Sequence, residues 1–362
     1  MDQRRIVIVG ASGNIGTALL RRWQAESEND RPHLVGMSRR RPATGAPYDG
    51  VSWEELDVTA PDARPRLAAA LAGADAVVNL AWGFQPSHDV DQLERVGVGG
   101  TRVVLGAATD AGVPQLVQLS SVGAYAPAER GQRVDESYPT TGVPSSPYSR
   151  HKAAAERLMD DWERDHPDGP VITRMRPGLV LQRDAGSALV RYTLPGWFPP
   201  AALRLLPVLP LDRSLSVPMV HSDDVADAIV RAVRRRAGGA FNLAAEPAVG
   251  RDDIAAVLRA HPVQVPTKLL RTVVDASWRV HLQPLDPGWI DLAFSVPLLD
   301  TTRARRALAW APATDARQAL AELISGMQTQ ASTPSPVLRR RSLVDQVRSV
   351  VQRGPLTRRE RP

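Results

Sequence analysis

The sequence predicts an α/β fold: a doubly wound parallel sheet with helices on both faces, followed by a smaller and less regular C-terminal lobe. Three observations carry that expectation. Five short runs, Ile6–Val9, Leu34–Met37, Ala76–Leu80, Leu116–Leu119 and Val171–Met175, are rich in Val, Ile and Leu without polar alternation, the pattern of strands buried on both faces. Helical patterns lie between them near Ile15–Ala25, Asp62–Leu71, Asp91–Ala111 and Tyr148–Asp165, and that strand, helix, strand rhythm implies parallel pairing. After about Gly186 the rhythm gives way to Pro-rich connections such as LPGWFPPAALRLLPVLPLDRSLSVP, which suits a lobe covering the strand ends. The expected division is a core over residues 1–185, its sheet completed by about 215–244, a second lobe over 186–214 and 245–327, and a basic, largely disordered tail over 328–362.

Composition bounds the rest. The chain has 362 residues, 43% of them apolar, enough for one large core or two modest ones. It has no cysteine, which excludes disulfides and cysteine-bound zinc. Scattered histidines give no metal-ligand spacing, and no GxSxG elbow marks a nucleophilic hydrolase. The start, MDQRRIVIVG, passes straight into a short apolar run unlike a signal peptide, and no stretch approaches the length of a membrane span. A cytoplasmic protein is expected. From Gln328 onward eight arginines face Asp345 and Glu360, so the tail holds the whole net charge of +6 and the body is neutral. That argues against a nucleic-acid partner. Within the tail Leu343, Val344, Val347, Val350 and Val351 share one face of a potential helix, which keeps open a weak contact with an anionic membrane surface or partner.

The first strand ends in G10-A-S-G13-N-I-G16, directly before an apolar helix. Glycines there let the backbone turn and approach a pyrophosphate, whose charge sits against the free N–H groups and positive end of the helix. The spacing makes Gly10, Ser12, Gly13, Asn14, Ile15 and Gly16 a candidate dinucleotide loop of the Rossmann kind. The second strand ends in Ser38, Arg39, Arg40 and Arg41 where an acid would favour NAD. Guanidinium groups at that place pair with a 2′-phosphate, so NADP is preferred to NAD. Asp57, after the next strand, either accepts from the adenine amino group or caps a turn.

One further stretch carries chemistry. Of 45 Lys plus Arg only Lys152 and Lys268 are lysines, and Lys152 stands four residues after Tyr148 in SPYSRHKAAAE. Ser146 and Pro147 predict a helix start, which puts Tyr148 and Lys152 on one face. A phenol with a pKa near 10 is a poor proton carrier at neutral pH, and an adjacent ammonium is expected to lower that value. Ser120 and Ser121 follow the strand at Leu116–Leu119, at the carboxyl edge where such sheets bind ligands.

The order of these motifs resembles the extended short-chain dehydrogenase/reductase family, the NAD(P)-dependent epimerase/dehydratase group, over residues 4–327. The carriers are the glycine loop, LDV at Leu56–Val58, NLA at Asn79–Ala81, SSVGAY at Ser120–Tyr125, YxxxK at Tyr148–Lys152, RPG at Arg176–Gly178, HSDDVADAI at His221–Ile229 and FNLA at Phe241–Ala244. The resemblance implies Ser121, Tyr148 and Lys152 as catalytic residues. It implies cofactor contacts from the glycine loop, Arg39, Arg40, Asp57, Val58, Leu80, Ala81, Tyr148, Lys152 and Pro177. His221 and Asp224 chiefly support the fold in that family. Trp82 and Gln85 are placed by the same resemblance to touch a substrate, with Trp197 and Arg213 in the following lobe. A homodimer through the helices at Asp91–Ala111 and Tyr148–Asp165 is a common family arrangement. The implied activity is hydride transfer between nicotinamide and a carbonyl or alcohol carbon. RMRPGLVL, where nucleotide-sugar enzymes usually carry an Asn-containing segment, inclines the reading to an NADP-dependent reductase/dehydrogenase of a non-nucleotide substrate. A nucleotide-sugar epimerase or dehydratase with internally recycled NAD is the alternative, and a non-catalytic NAD(P)-binding regulator a third.

Overall fold

The apolar runs become strands because both of their faces find helices. In a computed structural model describing residues 3–83, 89–193, 206–280, 282–283 and 285–340, the chain begins β1 (Arg5–Val9), α1 (Asn14–Gln24), β2 (His33–Ser38), β3 (Ser52–Glu55), α2 (Ala63–Leu71) and β4 (Ala76–Asn79). It continues with α3 (Val90–Glu94), a π-helical turn (Arg95–Gly99), α4 (Gly100–Asp110), β5 (Gln115–Leu119), β6 (Arg133–Val134), α5 (Pro147–Asp165) and β7 (Val171–Pro177). Next come β8 (Leu179–Leu181), α6 (Gly186–Thr193), β9 (Val208–Leu211), β10 (Ser216–His221), α7 (Ser222–Arg235), β11 (Gly239–Leu243) and β12 (Ala245–Gly250). The remaining elements are α8 (Arg251–Leu258), β13 (His261–Gln264), α9 (Thr267–Arg279), α10 (Gly288–Ser295), β14 (Leu298–Leu299), α11 (Thr302–Leu308) and α12 (Ala316–Thr329).

Seven strands form the central sheet in the order β11-β7-β5-β4-β1-β2-β3, every pair parallel. Side chains alternate between its faces. Ile6, Ile8, Val78 and Val117 join Leu19 and Leu20 of α1 and Ile229 and Val230 of α7 in one core. Val7, Val9, Val77 and Leu116 join Leu67 of α2, Val104 of α4 and Met159 of α5 in the other. Continuous apolar strands with no solvent face are the consequence. The strand order reverses between β1 and β4, so their carboxyl ends open a crevice. Gly10 sits there with φ +84°, and a Cβ on it would lie 2.9 Å from the backbone nitrogen of Ala81, so only glycine lets these two loops approach so closely.

The expected elements stand within one or two residues of the observed ones, with two departures. The helix expected over Asp91–Ala111 is broken by the π turn at Arg95–Gly99, where three glycines follow in close order and lower the cost of rewinding. The segment expected to complete the sheet divides: β11 joins the central sheet beside β7, while β10 joins β8 and β12 in a separate three-stranded sheet. Against that sheet Leu181, Ala188, Met219, Val249, Leu320 and Leu323 form a third core.

The tail expected from residue 328 does not begin there. Helix α12 runs to Thr329, and the residues after it are packed, with Ser335 and Leu338 almost completely buried. Tyr48 and Thr333 share a 2.7 Å hydrogen bond, Ala43 N donates to Pro334 O at 3.2 Å, and Ser335 Oγ donates to Ser12 O at 2.6 Å. A compositional reading averages over the Arg-rich stretch, whereas these few hydroxyls and one leucine find specific partners. The apolar face from Leu343 to Val351 lies outside the described residues. No described helix is long and apolar enough to cross a membrane.

Candidate active site

At the crevice between β1 and β4 lies a cavity of about 550 Å³. It brings together Gly10, Ser12, Gly13, Asn14, Ile15, Gly16, Arg39, Arg40, Asp57, Val58, Leu80, Ala81, Ser121, Tyr148, Lys152, Pro177 and Trp82. Helix α1 opens on it from Gly13, with no side-chain cap and no acidic residue in the first turn. The positive end of the helix therefore faces the cavity with only glycine before it, a surface that fits a pyrophosphate. Asn14 is held by its Nδ2 donating to Val180 O at 3.3 Å and by contact with Gln182. Ser38 Oγ donates to Arg40 O at 2.8 Å, curling the end of β2 so that Arg39 and Arg40 line the cavity while remaining exposed. Asp57 Oδ1 accepts from Thr59 N at 2.9 Å and Thr59 Oγ1 at 2.7 Å; the capping use of this residue is present, and the residue still borders the cavity. Asn79 fixes the facing loop, donating to Gln118 Oε1 at 2.8 Å and accepting from Ala81 N at 3.2 Å.

Helix α5 starts as its sequence requires, with Ser146 as N-cap accepting from Ser149 N and Pro147 in the first turn. Tyr148 reaches the cavity beside Ser121, whose hydroxyl is hydrogen-bonded to the phenol. Gly123 makes this approach feasible, because a Cβ there would lie 3.0 Å from Tyr148 Cε1 and 3.4 Å from Ser121 Oγ. The two serines are used differently. Ser120 Oγ donates to Glu156 Oε1 at 2.5 Å, away from the phenol, and Ser121 Oγ also accepts from Gly123 N at 3.0 Å.

Lys152 is buried, donates from Nζ to Leu119 O at 2.9 Å and lies 3.5 Å from the centre of the Trp82 ring. Burial pulls its pKa down to about 7, with the Glu156 carboxylate acting in the opposite direction. Burial likewise pushes the Tyr148 phenol up to about 12, against the hydrogen bond from Ser121. The expected lowering of the phenol pKa is therefore not seen. The ammonium is engaged by Leu119 O and the Trp82 ring and stands 5.9 Å from the Tyr148 ring centre, so desolvation dominates.

Behind the lysine lies a network that the sequence reading did not single out. Glu156, one turn after Lys152 and fully buried, accepts from Arg176 Nε at 2.9 Å and Nη2 at 3.0 Å, and from Arg174 Nη1 at 3.2 Å. Burial alone would raise its pKa, but Arg176, Ser120 and Arg174 hold it below the usual carboxylate range. Arg176 Nη1 also donates to Tyr125 OH at 3.1 Å, and that hydroxyl donates to Asn242 Oδ1 at 2.6 Å. The network joins α5, β5, β7 and β11. Its signal is in the sequence: arginines at alternate positions of a buried strand lie on one face and require an acid.

The other missed residues, Trp289 first among them, join the expected substrate contact Trp82 in the wall around the phenol. Trp289 lies 5.1 Å from Tyr148 between ring centres and Trp82 lies 6.4 Å away, edge-on. Leu93, Val96, Leu292, Ala293 and Val296 continue that wall. Arg213, expected near the substrate, does not line the cavity. It sits in the β9–β10 turn, where its N donates to Gln264 and its carbonyl accepts from Arg130. Gln85 and Trp197 lie outside the described residues. His221 caps α7 by accepting from Asp223 N at 3.2 Å, and Asp224 accepts from Ala313 N at 2.7 Å and Thr314 N at 3.2 Å.

Comparison with known proteins agrees with this arrangement. Residues 6–244 match the model of the NAD dependent epimerase/dehydratase family. An uncharacterized protein of Mycobacterium tuberculosis is 27% identical over 324 residues, which is 87% of this chain and 29% of that relative. The chain thus spans less than a third of that relative's length. A 2′-dehydrokanamycin reductase of Streptomyces kanamyceticus is 30% identical over 228 residues, 63% of this chain and 57% of the relative. A UDP-glucose-4-epimerase from Stenotrophomonas maltophila, solved with bound NAD and formylated UDP-arabinopyranose, superposes with a TM-score of 0.66 at 19% identity over 90% of this chain and 97% of that one. This last likeness is one of fold.

Proposed function

The chain belongs to the NAD dependent epimerase/dehydratase family, and we propose that within it the protein is an NADP-dependent reductase/dehydrogenase acting on a carbonyl or alcohol substrate without a nucleotide handle. One observation carries the reading. Among the described residues the side of the cavity that carries Tyr148 is mainly aromatic and aliphatic, with Trp82, Leu93, Val96, Trp289, Leu292 and Val296 beside Asp89 and Gln92, and Lys152 is its cation, while Arg150 lines an adjoining pocket against Tyr148 and Trp289. The other cations bordering the cavity, Arg39 and Arg40, stand at the end of β2. A nucleotide sugar brings a second pyrophosphate that needs guanidinium or ammonium partners. The similarity to a 2′-dehydrokanamycin reductase points in the same direction.

The division of labour follows from the geometry. A bound nicotinamide supplies the site that gives or accepts hydride. Tyr148 transfers the hydroxyl proton of the substrate, and Ser121, hydrogen-bonded to that phenol, holds the reacting oxygen. Lys152, pulled down to about 7 in pKa by burial, holds the cofactor ribose. Trp82 and Trp289 exclude water and flank the substrate. Arg39 and Arg40 pair with the 2′-phosphate of NADP. The lobe built on β8, β10 and β12 borders the cavity through Leu179, Val180 and Val217.

Titration of the purified protein with NADP(H) and NAD(H), followed by assays against apolar ketones, aminoglycoside ketones and UDP- and dTDP-sugars, tests this. NADPH oxidised stoichiometrically with a ketone supports the reading. Conversion of a nucleotide sugar without net cofactor consumption, with NAD retained after purification, would replace it by the epimerase alternative.

A further inference from the structure

Resting on the reading of Arg39 as a 2′-phosphate contact, we infer that Pro336–Leu338 form the outer wall of the adenosine half of the cofactor site, and that Arg339, the next residue, is its third guanidinium. The segment is fastened on both sides of the crevice. Thr333 bonds to Tyr48, which itself bonds to Thr17 of α1 at 2.9 Å. Pro334 O receives Ala43 N, just beyond the arginines. Ser335, completely buried, gives its hydroxyl hydrogen to Ser12 O within the glycine loop and accepts from Val337 N at 3.1 Å. Leu338 is anchored in the second lobe's core. Between these anchors Pro336, Val337 and Leu338 line the same cavity as Ser12 and Arg40. The segment therefore runs from the residues that follow β2, past the glycine loop, to the second lobe, and so flanks the part of the crevice where the ribose and its substituent lie in this reading.

The electrostatics favour an anion at the far end of that path. Arg40 has its pKa lowered by burial first and then by the charges of Arg339 and Arg39. The effect of Arg339 and Arg39 on Arg40 is a repulsion between like charges. A phosphate monoester, with close to two negative charges and three acceptor oxygens, relieves that repulsion and accepts their forked N–H groups.

The test is calorimetric titration of the full chain with NADP, NAD and 2′,5′-ADP, for wild type, Arg39→Ala, Arg339→Ala, Ser335→Ala and Val337→Asp. Arg339 is exposed, so its variant retains the fold. Arg339→Ala is expected to weaken NADP and 2′,5′-ADP about tenfold and leave NAD within about twofold. Ser335→Ala and Val337→Asp are expected to weaken both dinucleotides, through a loosened wall and through a charge set against the phosphates. If Arg339→Ala binds NADP as wild type does while Arg39→Ala does not, the role of Arg339 is overturned and the NADP reading survives. If wild type binds NAD and NADP equally and Arg39→Ala changes neither, the NADP reading and the arginine cluster fall together. The wall then stands or falls on NAD alone: weaker binding in both the Ser335 and Val337 variants retains it, and unchanged binding removes it.

Discussion

Lys152 is held in a place that costs stability and serves chemistry. An amine whose pKa falls from 10.5 to about 7 on burial binds fewer protons folded than unfolded across that interval. Stability therefore rises with pH between those values, and the penalty of the buried charge is fully present below about pH 7. Lys152→Met, in the cofactor-free protein, should raise the melting temperature relative to wild type most at about pH 6 to 7, with the gap narrowing towards about pH 10. The lost hydrogen bond to Leu119 O is an offset independent of pH, so a gap that does not vary with pH would show that the lysine is not desolvated. Tyr148→Phe should bind cofactor normally and lose turnover by about 10²-fold or more, since the phenol hydrogen is the group removed; a variant with undiminished activity would dismiss the proposed acid/base. How far single residues are readable follows from the same neighbourhood. The spacing of Tyr148 and Lys152 is visible in the sequence, but the direction of the phenol's pKa is not, because it depends on how deeply the ring sits and on which atoms the ammonium faces.

At the scale of elements, α5 and β7 are joined by Glu156, Arg174 and Arg176, and what holds the pair is charge in a low-dielectric setting. Such a network stabilises only while every partner is present. Glu156→Gln leaves two buried guanidinium groups without their carboxylate and should cost about 3–5 kcal/mol by urea denaturation. The loss of a carboxylate held below its usual range should also remove part of the wild-type stability decline as pH falls into the acid region. A substitution that leaves the urea midpoint unchanged would mean that the network is neutral. The strands and helices themselves were legible because unbroken apolar runs alternate with helical periodicity. The π turn at Arg95–Gly99 was not, since Val96, Gly97, Val98, Gly99 and Gly100 fit a helix pattern equally well whether wound by four residues or five.

Over the whole molecule the core of the second lobe takes in Leu338, which arrives from the far end of the described chain and packs with Leu181, Met219 and Leu320. Leu338→Ala should destabilise by about 2–4 kcal/mol and weaken dinucleotide binding together with it; a stable variant with unchanged affinity would detach the segment from both roles. The doubly wound architecture could be read from sequence because it depends on repeated patterns. The packed stretch after Thr329 could not, because it depends on Ser335 and Leu338, two contacts with no period, beside an Arg-rich composition that argues for solvent. The position of that stretch has a consequence for biosynthesis. Chains fold as units from the N-terminal side while the ribosome adds about 5–20 residues per second. The seven-stranded sheet is complete once β11 has emerged, whereas the wall provided by Pro336–Leu338 is among the last of the described residues to leave the exit tunnel. A nascent chain thus passes through an interval in which the glycine loop is formed and its outer wall is missing, and firm retention of the nucleotide becomes a mark of a chain translated through Leu338.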